Sequence, residues 1–229
     1  MEIITLTNLN FLSILQLASP ALPVGAYSYS EGLEMLVEKQ IIYDVNSLKK
    51  WLESELKYGS IRVDGVVMIR GFNAIKNDDL ASLKTWNLWL SAFRDTEELR
   101  AGSWQMGRSL VQLLTKLAPE TVPLSKALGY PCNYAIAFGI AAAHWQINHH
   151  AALLAYLHSW ANNLITAGVK LIPLGQTAGQ ELLLSLQTLL NVTMLEILTL
   201  EDDNLASCNW GLSLASMQHE TQYTRLFRS

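Results

Sequence analysis

Residues 151–190 read AALLAYLHSWANNLITAGVKLIPLGQTAGQELLLSLQTLL, and this stretch decides the fold. In its first half, apolar residues recur at steps of three or four, the spacing that lines one face of an α-helix. Pro173 lacks a backbone N–H and disfavours helical geometry just before it, so the first helix is predicted to end near Leu171. A second helix is predicted to begin near Thr177 and to keep its apolar side as far as Met194.

The surroundings of this stretch carry few charges. Too few are present to cover a solvated surface, which predicts that these helices form the central layer of the protein. A buried polar group without a partner costs about 1–3 kcal/mol, so the polar residues of this layer are expected to have partners. The charged residues between positions 117 and 200 are Glu120, Lys126, Lys170, Glu181 and Glu196. The polar residues that need partners are Asn162, Asn163, Lys170, Gln176, Thr177 and Gln180.

Helical periodicity continues along the rest of the chain, and no segment alternates as a strand would. Ser28 and Glu31 have the spacing of a capping box for a helix running toward Val37. Three further polar residues stand at predicted helix starts: Asp44, Asp78 and Asn133. We predict an all-α protein, a single-domain bundle of roughly eight to ten helices over residues 1–229, with no significant β-sheet.

Composition argues against several functional classes. The formal net charge is −4, and basic and acidic residues are interspersed, unlike the concentrated positive surface of a protein that binds nucleic acid. Cys132 and Cys208 share no motif and suit a reducing compartment. Residues 182–200 approach the length of a membrane span, but polar residues interrupt them, which favours a buried amphipathic helix. We expect a cytoplasmic protein that contacts neither nucleic acid nor a membrane.

The sequence contains no motif of a known active site. Neither Gly-x-Ser-x-Gly nor Gly-x-x-x-x-Gly-Lys-Ser/Thr occurs. His219-Glu220 begins like a zinc-protease motif, but Tyr223 stands where the second histidine is required. His149 and His150 are adjacent and have no Cys or carboxylate at ligand spacing, so we predict no metal site. The prediction is a protein that is not an enzyme, has no catalytic residues and carries no cofactor.

The C-terminal residues 216–229 differ from an ordinary frayed terminus. They carry the residue types that anchor interfaces, and we predict that they form a partner-docking tail. These residues are Tyr223, Arg225, Leu226, Phe227 and Arg228. Arg94, Arg100 and Arg108 are interpreted instead as solvated residues paired with nearby carboxylates at Asp95, Glu97 and Glu98.

Four stretches, taken in order, resemble the urease accessory protein UreF family. They are residues 17–34 (LASPALPVGAYSYSEGLE), residues 96–100 with 106–108 (TEELR and MGR), residues 167–176 (AGVKLIPLGQ) with Gln180, and residues 219–229 (HETQYTRLFRS). The resemblance runs nearly end to end and shows no clear departure from the family pattern, while residues 117–132, between the quoted stretches, are unremarkable.

The resemblance implies a non-catalytic maturation factor. Members of this family are all-helical dimers that join the accessory protein UreD (also called UreH), recruit the GTPase UreG and help to deliver nickel to apo-urease. The residues then expected to contact partners are Tyr27, Ser28, Glu31, Lys170, Gln176, Gln180, Tyr223, Arg225, Leu226, Phe227, Arg228 and Ser229.

Two alternative functions stay open on the sequence. In the first, the chain activates the partner GTPase by inserting Arg225, Arg228 or Lys170 into its nucleotide site. In the second, it carries nickel on His149 and His150.

Overall fold

The structure is a computed structural model that describes residues 8–129, 131–208 and 210–228. Twelve α-helices, and no strand, occur within these ranges, so the all-α prediction is confirmed and the predicted count of eight to ten was too low. The helices are α1 (Asn8–Leu17), α2 (Leu33–Glu38), α3 (Val45–Tyr58), α4 (Ser60–Lys76), α5 (Leu80–Phe93), α6 (Glu97–Leu117), α7 (Val122–Leu128), α8 (Tyr134–His144), α9 (His149–Leu171), α10 (Gln176–Ser185), α11 (Gln187–Leu198) and α12 (Trp210–His219). Short 3-10 turns lie at Ala26–Ser28, Pro119–Thr121 and Asp202–Asn204.

The core is centred on α4 and α8, which make the most extensive contact between any two helices described. All of residues 135–143 in α8 are buried, as their small side chains predict. A Cβ at Gly139 would lie 2.4 Å from the carbonyl oxygen of Met68 in α4. Because that atom belongs to the backbone and cannot rotate away, glycine is required for this approach. The hydrophobic core extends from Leu17 to Phe227, which is compatible with a single domain.

The stretch that decides the fold contains one more break than the sequence predicts. Helix α9 ends at Leu171 and α10 begins at Gln176, as Pro173 indicates. The expected continuous helix to Met194 was wrong, because α10 and α11 meet at Leu186 with a bend of 45°. Both helices pack on α9 and α3, and α11 also packs on α4. Within the described ranges, no single helix has the length and hydropathy of a membrane span, and only this bent pair reaches them when its halves are taken together.

Local capping chemistry explains two helix starts. Asp44 accepts a hydrogen bond from Ser47 N–H at 2.7 Å, and the Ser47 hydroxyl accepts one from Asp44 N–H at 3.0 Å, so the predicted cap of α3 is confirmed. The start of α5 is shifted by one residue. Asp79, not Asp78, accepts from Ser82 N–H at 2.9 Å, because Asp78 has a left-handed φ of 53°.

The predicted capping box of Ser28 and Glu31 was wrong. Residues Ala26–Ser28 form a 3-10 turn, and α2 begins only after Gly32, which has a φ of 80°. The Glu31 carboxylate is not available as a cap, because it accepts a hydrogen bond from Trp160 Nε1 at 3.0 Å. The hydrogen bond from Trp160 in α9 therefore replaces the predicted capping interaction of Glu31.

Asn133 starts α8 but does not cap it through its side chain, contrary to the prediction. Its amide donates to the carbonyl oxygen of Asn87 at 2.8 Å and to the hydroxyl of Ser91 at 2.7 Å. Asn133 thus joins α8 to α5 inside the core, and its polar groups are satisfied there.

Two helices lie where the sequence pattern is weak. Helix α7 occupies part of the unremarkable segment 117–132, and α12 lies beyond Leu200. Helix α12 packs on α2 and α6, with Ser216 and His219 fully buried. The first residues of the predicted tail, 216–219, are therefore the last turn of a packed helix.

Candidate partner-docking surface

After α12 the chain crosses the body of the protein as a segment that we call the strap, residues 220–228. Glu34 of α2 accepts backbone hydrogen bonds from Leu226 N–H at 2.7 Å and from Phe227 N–H at 2.9 Å. Arg228 N–H donates to the carbonyl oxygen of Ser28 at 2.8 Å. The ring of Phe227 is 5% exposed and belongs to the core. These contacts join the strap to α2 and to the loop that precedes it.

A buried histidine, His219, contacts the two carboxylates that bind the strap. The ring of His219 is wholly buried, with Nδ1 2.9 Å from a Glu98 carboxylate oxygen and Nε2 3.2 Å from a Glu34 oxygen. Arg225 donates to the other Glu98 oxygen at 3.0 Å. We call Glu34, Glu98 and His219 the carboxylate clamp. Sequence reasoning placed all three residues in the stretches that resemble the family, but it did not predict that they contact one another. Glu34 and Glu98 lie 185 and 121 residues from His219 in the chain, so no spacing relates them.

The outer side of the strap is rich in exposed aromatic and apolar groups. Tyr223 is fully exposed, Leu226 is 65% exposed, and Tyr27 in the neighbouring loop is 67% exposed. The Lys170 ammonium lies 5.7 Å from the centre of the Phe227 ring, within the range of a cation–π contact. The structure thus brings together residues from three distant parts of the chain. We call Tyr27, Ser28, Lys170, Tyr223, Leu226 and Arg228 the docking surface.

An open hollow of 320 Å³ lies within this surface, between the loop before α2 and helix α6. Tyr27, Ser28 and Arg228 line it, together with Gln105 and Ser109 of α6. Its polar lining and adjacent exposed aromatic rings are features of protein-binding surfaces. The arrangement is suited to binding another protein.

Three other predicted partner residues lie elsewhere. Gln176 and Gln180 are exposed on α10, and Glu31 turns inward toward Trp160. The expectation of a buried central layer was wrong for Lys170, Gln176 and Gln180. Lys170 is exposed at the end of α9, and both glutamines are exposed on α10. Ser229 lies outside the described residues.

A small chamber of 60 Å³ lies between the loop before α2 and helices α4, α6, α8 and α9. Arg94 donates from one nitrogen to both oxygens of Asp64 at 2.8 Å, and the two side chains are 10% and 11% exposed. The interpretation of Arg94 as a solvated residue paired with its sequence neighbours was wrong. The end of α5 turns its guanidinium inward to α4, where a buried carboxylate requires a partner. Glu31 and Trp160 also line the chamber.

Burial is the main cause of the raised pKa of two acids, Glu31 in this chamber and Glu55. It raises the pKa of Glu31, partly opposed by the hydrogen bond from Trp160. It raises the pKa of Glu55 to about 8, with the nearby charge of Glu31 adding to the effect. Both shifts have the sign expected for carboxyl groups removed from water.

No group of three or more His, Cys, Asp or Glu side chains converges as metal ligands within residues 8–129, 131–208 and 210–228. The rings of His149 and His150 pack against each other at 4.4 Å, and His149 also contacts the ring of Phe72. Cys132 is buried and Cys208 is exposed, and neither forms a disulfide.

Comparison with known proteins agrees with the resemblance seen in the sequence. The UreF family model matches residues 42–187, more than half of the chain. A urease accessory protein UreF from Nostoc sp. (strain PCC 7120 / SAG 25.82 / UTEX 2576) is 69% identical over 229 residues and covers all of both chains. The UreF of Synechocystis sp. (strain ATCC 27184 / PCC 6803 / Kazusa) is 53% identical, with 95% of this chain and 97% of that one covered. The UreF of Alkalilimnicola ehrlichii is 41% identical, with 93% of each chain covered. On this likeness, the chain belongs to the UreF family of urease accessory proteins.

Proposed function

We propose that this chain is a cytoplasmic assembly factor for urease, which holds the accessory protein UreD (UreH) and the GTPase UreG together while nickel enters apo-urease. Nickel is the cargo of this process and not a resident cofactor. The chain acts by binding, without catalysis of its own, and works as a dimer. Membership of the UreF family supports the urease connection.

The observation that carries a binding role is the docking surface. Exposed Tyr and Leu side chains are usually scattered on a monomer, and a cluster of them beside cationic groups is typical of an interface. Here Tyr223 and Leu226 are exposed on the strap, and Tyr27 and Arg228 line the same hollow. Lys170 contacts the strap through the ring of Phe227. The strap is attached to the helical body by hydrogen bonds from its backbone to Glu34, so a partner that binds the strap is also held to the helical body.

A bridging function also requires a body that holds two partners in register. The core supplies this, since α4 and α8 approach closely enough to exclude a Cβ at Gly139. Tightly packed interiors of this kind resist deformation, so partners bound on two faces are held at a fixed distance and orientation. Two candidate contact areas then lie on one rigid body. One is the docking surface, and the other is the exposed face of α10, which carries Gln176 and Gln180.

The test is to mix the purified chain with its cognate UreD and UreG and to measure the mass of the complexes by light scattering, with and without GTP. We expect a complex of this chain with UreD, and a larger one when UreG is added. The proposal fails if the chain elutes alone at its own mass in both mixtures.

One observation favours a second role, activation of the GTPase by an inserted arginine. The Arg225 guanidinium is already bound to Glu98 and to the carbonyl oxygen of Glu220, whereas Arg228 is exposed on the docking surface. An inserted arginine accelerates GTP hydrolysis by about 10³-fold or more. If Arg228 has this role, Arg228→Ala lowers UreG turnover by a comparable factor. A change of only a few-fold excludes it.

A further inference from the structure

Arg94 has a hydrogen-bond donor that its ion pair with Asp64 does not use. The Nη2 nitrogen of Arg94 donates to both oxygens of Asp64. The Nε–H of the same guanidinium is buried and finds no acceptor among the residues that the structure describes. Buried donors are almost always hydrogen-bonded, either to a protein group or to an ordered water, because a donor left unpaired costs free energy. This nitrogen therefore requires an acceptor that the surrounding protein groups do not provide.

The 60 Å³ chamber lies beside this guanidinium, and both Arg94 and Asp64 line it. Its volume exceeds the about 10–15 Å³ that one water molecule requires. Glu31, Tyr156 and Ser159 also line the chamber and bring a carboxyl group and two hydroxyl groups to its wall. A buried water makes about two to four hydrogen bonds to such groups. The chamber thus has both the room and the polar partners for at least one water.

The backbone at Glu31 is held in an unusual conformation at this chamber. Its φ of 51° lies in the left-handed region, which residues other than glycine rarely adopt. Such conformations persist where surrounding contacts fix them. Trp160 of α9 supplies one such contact, since its Nε1 donates to the Glu31 carboxyl at 3.0 Å. The carboxyl is therefore a fixed part of the chamber wall.

The charges in the wall determine which kind of ligand fits. The positive charge of Arg94 is neutralised by Asp64 at 2.8 Å. Burial raises the pKa of Glu31, which favours its neutral form, and raises the pKa of the Tyr156 hydroxyl well above its ordinary value. An ion in the chamber would then add an uncompensated charge to a site removed from bulk water, which is strongly unfavourable. An apolar ligand would leave the Arg94 Nε–H unpaired, so a small neutral molecule with hydrogen-bonding groups fits best.

We propose that the chamber is a water-binding site, in which an ordered water accepts a hydrogen bond from Arg94 Nε–H and donates to the carboxyl and hydroxyl groups of the wall. The inference goes beyond the proposed function and does not depend on any partner. Through this water, the chain just after α5 is joined to α9 and to the loop before α2. Removal of the water should leave the Arg94 donor unpaired and destabilise the protein.

The test uses the Arg94 Nε–H proton as the probe, in the isotopically labelled full chain. A nuclear Overhauser effect between water and this proton detects a water in contact with it, and the sign of the effect distinguishes a bound water from bulk solvent. Arg70 is the matched control, because its Nε already donates to Asp202 at 2.8 Å. We expect a bound-water effect at Arg94 and none at Arg70. Arg94→Lys keeps a cation beside Asp64 and should lose the signal, which assigns it.

A crystal structure of the wild type provides the second measurement. It should place a water oxygen within about 3.2 Å of Arg94 Nε, which also excludes an effect relayed through a neighbouring hydroxyl proton. An ion in the chamber, or a protein group that accepts from Nε, would overturn the proposal.

A variant that fills the chamber tests the same claim by the sign of its effect on stability. Ala26 lines the chamber, and Ala26→Leu places a larger apolar side chain there. We expect the bound-water effect at Arg94 to be lost and the equilibrium constant of unfolding to rise about tenfold, because the Nε–H then has no acceptor. Filling a dry apolar cavity would lower that constant instead.

Three further results overturn the proposal. They are the absence of a bound-water effect at Arg94 in the wild type, its persistence in Ala26→Leu, and a gain in stability in that variant. If Ala26→Leu does not fold, the comparison of Arg94 with Arg70 in the wild type and the crystal structure decide.

Discussion

Replacing Gly139 by alanine sets two opposite effects against each other at the centre of the fold. Alanine is favoured over glycine in a helix by about 1 kcal/mol, which alone would stabilise the protein. The added Cβ, however, would lie 2.4 Å from the Met68 carbonyl oxygen and 3.0 Å from Phe72 N, where ordinary contact begins at 3.4 Å. Helices α4 and α8 must then separate by about 1 Å, and overpacking of this kind costs about 1–3 kcal/mol or more.

We expect the steric effect to prevail and Gly139→Ala to lose about 2 kcal/mol net, which lowers the Tm by roughly 4–8 °C in a chain of this size. The assay is thermal unfolding followed by circular dichroism, with a urea titration to obtain the free energy of unfolding. Gly211→Ala is the matched control, because Gly211 is also helical and nothing lies within 4 Å of the added Cβ. The control should leave the Tm unchanged or raise it. The packing argument is refuted if Gly139→Ala is as stable as the wild type.

Three further predictions concern single side chains. The Glu55 carboxyl has a pKa of about 8 in the folded protein and near 4.5 in the unfolded chain, so the free energy of unfolding should fall as the pH rises from 5 to 8. Urea titrations across that range should show a smaller fall for Glu55→Gln than for the wild type. An equal fall in the two proteins would contradict the raised pKa of Glu55. A thiol reagent should label Cys208 quickly in the native protein and Cys132 only on unfolding, because Cys132 is buried and its pKa is raised to about 12. Rapid labelling of both cysteines in the native protein would be inconsistent with the fold. Asp44→Ala should cost about 1 kcal/mol in urea unfolding through loss of the α3 cap, whereas no loss would mean that the capping box contributes nothing.

Features set by neighbours in the sequence were predictable. Pro173 indicated the end of α9, and Asp44 indicated the start of α3, because each acts within one helical turn. The small residues of α8 indicated an interior helix, since only small side chains permit close approach to a neighbouring backbone. Such signals were sufficient for the all-α class and for most of the helices.

Features set by distant residues were not predictable. Glu31 has the spacing of a capping box with Ser28, but it forms a hydrogen bond with Trp160 in α9 instead of the capping interaction. Arg94 has acidic neighbours in the sequence, yet it pairs with Asp64, a buried carboxylate 30 residues away. The clamp of Glu34 and His219 joins residues 185 apart, and no periodicity or spacing relates them. The strap residues were recognised by their type, whereas the groups that hold them become evident only in three dimensions.

The central claim is that the docking surface binds another protein through the outward side of the strap. The most direct measurement is the affinity of the cognate UreD for the double variant Tyr223→Ala with Leu226→Ala. The matched control is Tyr58→Ala with Leu88→Ala, which removes the same two side-chain types at positions that are 62% and 67% exposed elsewhere on the surface. The account predicts that the first pair weakens binding by about tenfold or more, as loss of interface anchors does, while the control pair leaves it unchanged. Equal affinity for UreD in the two double variants would contradict it.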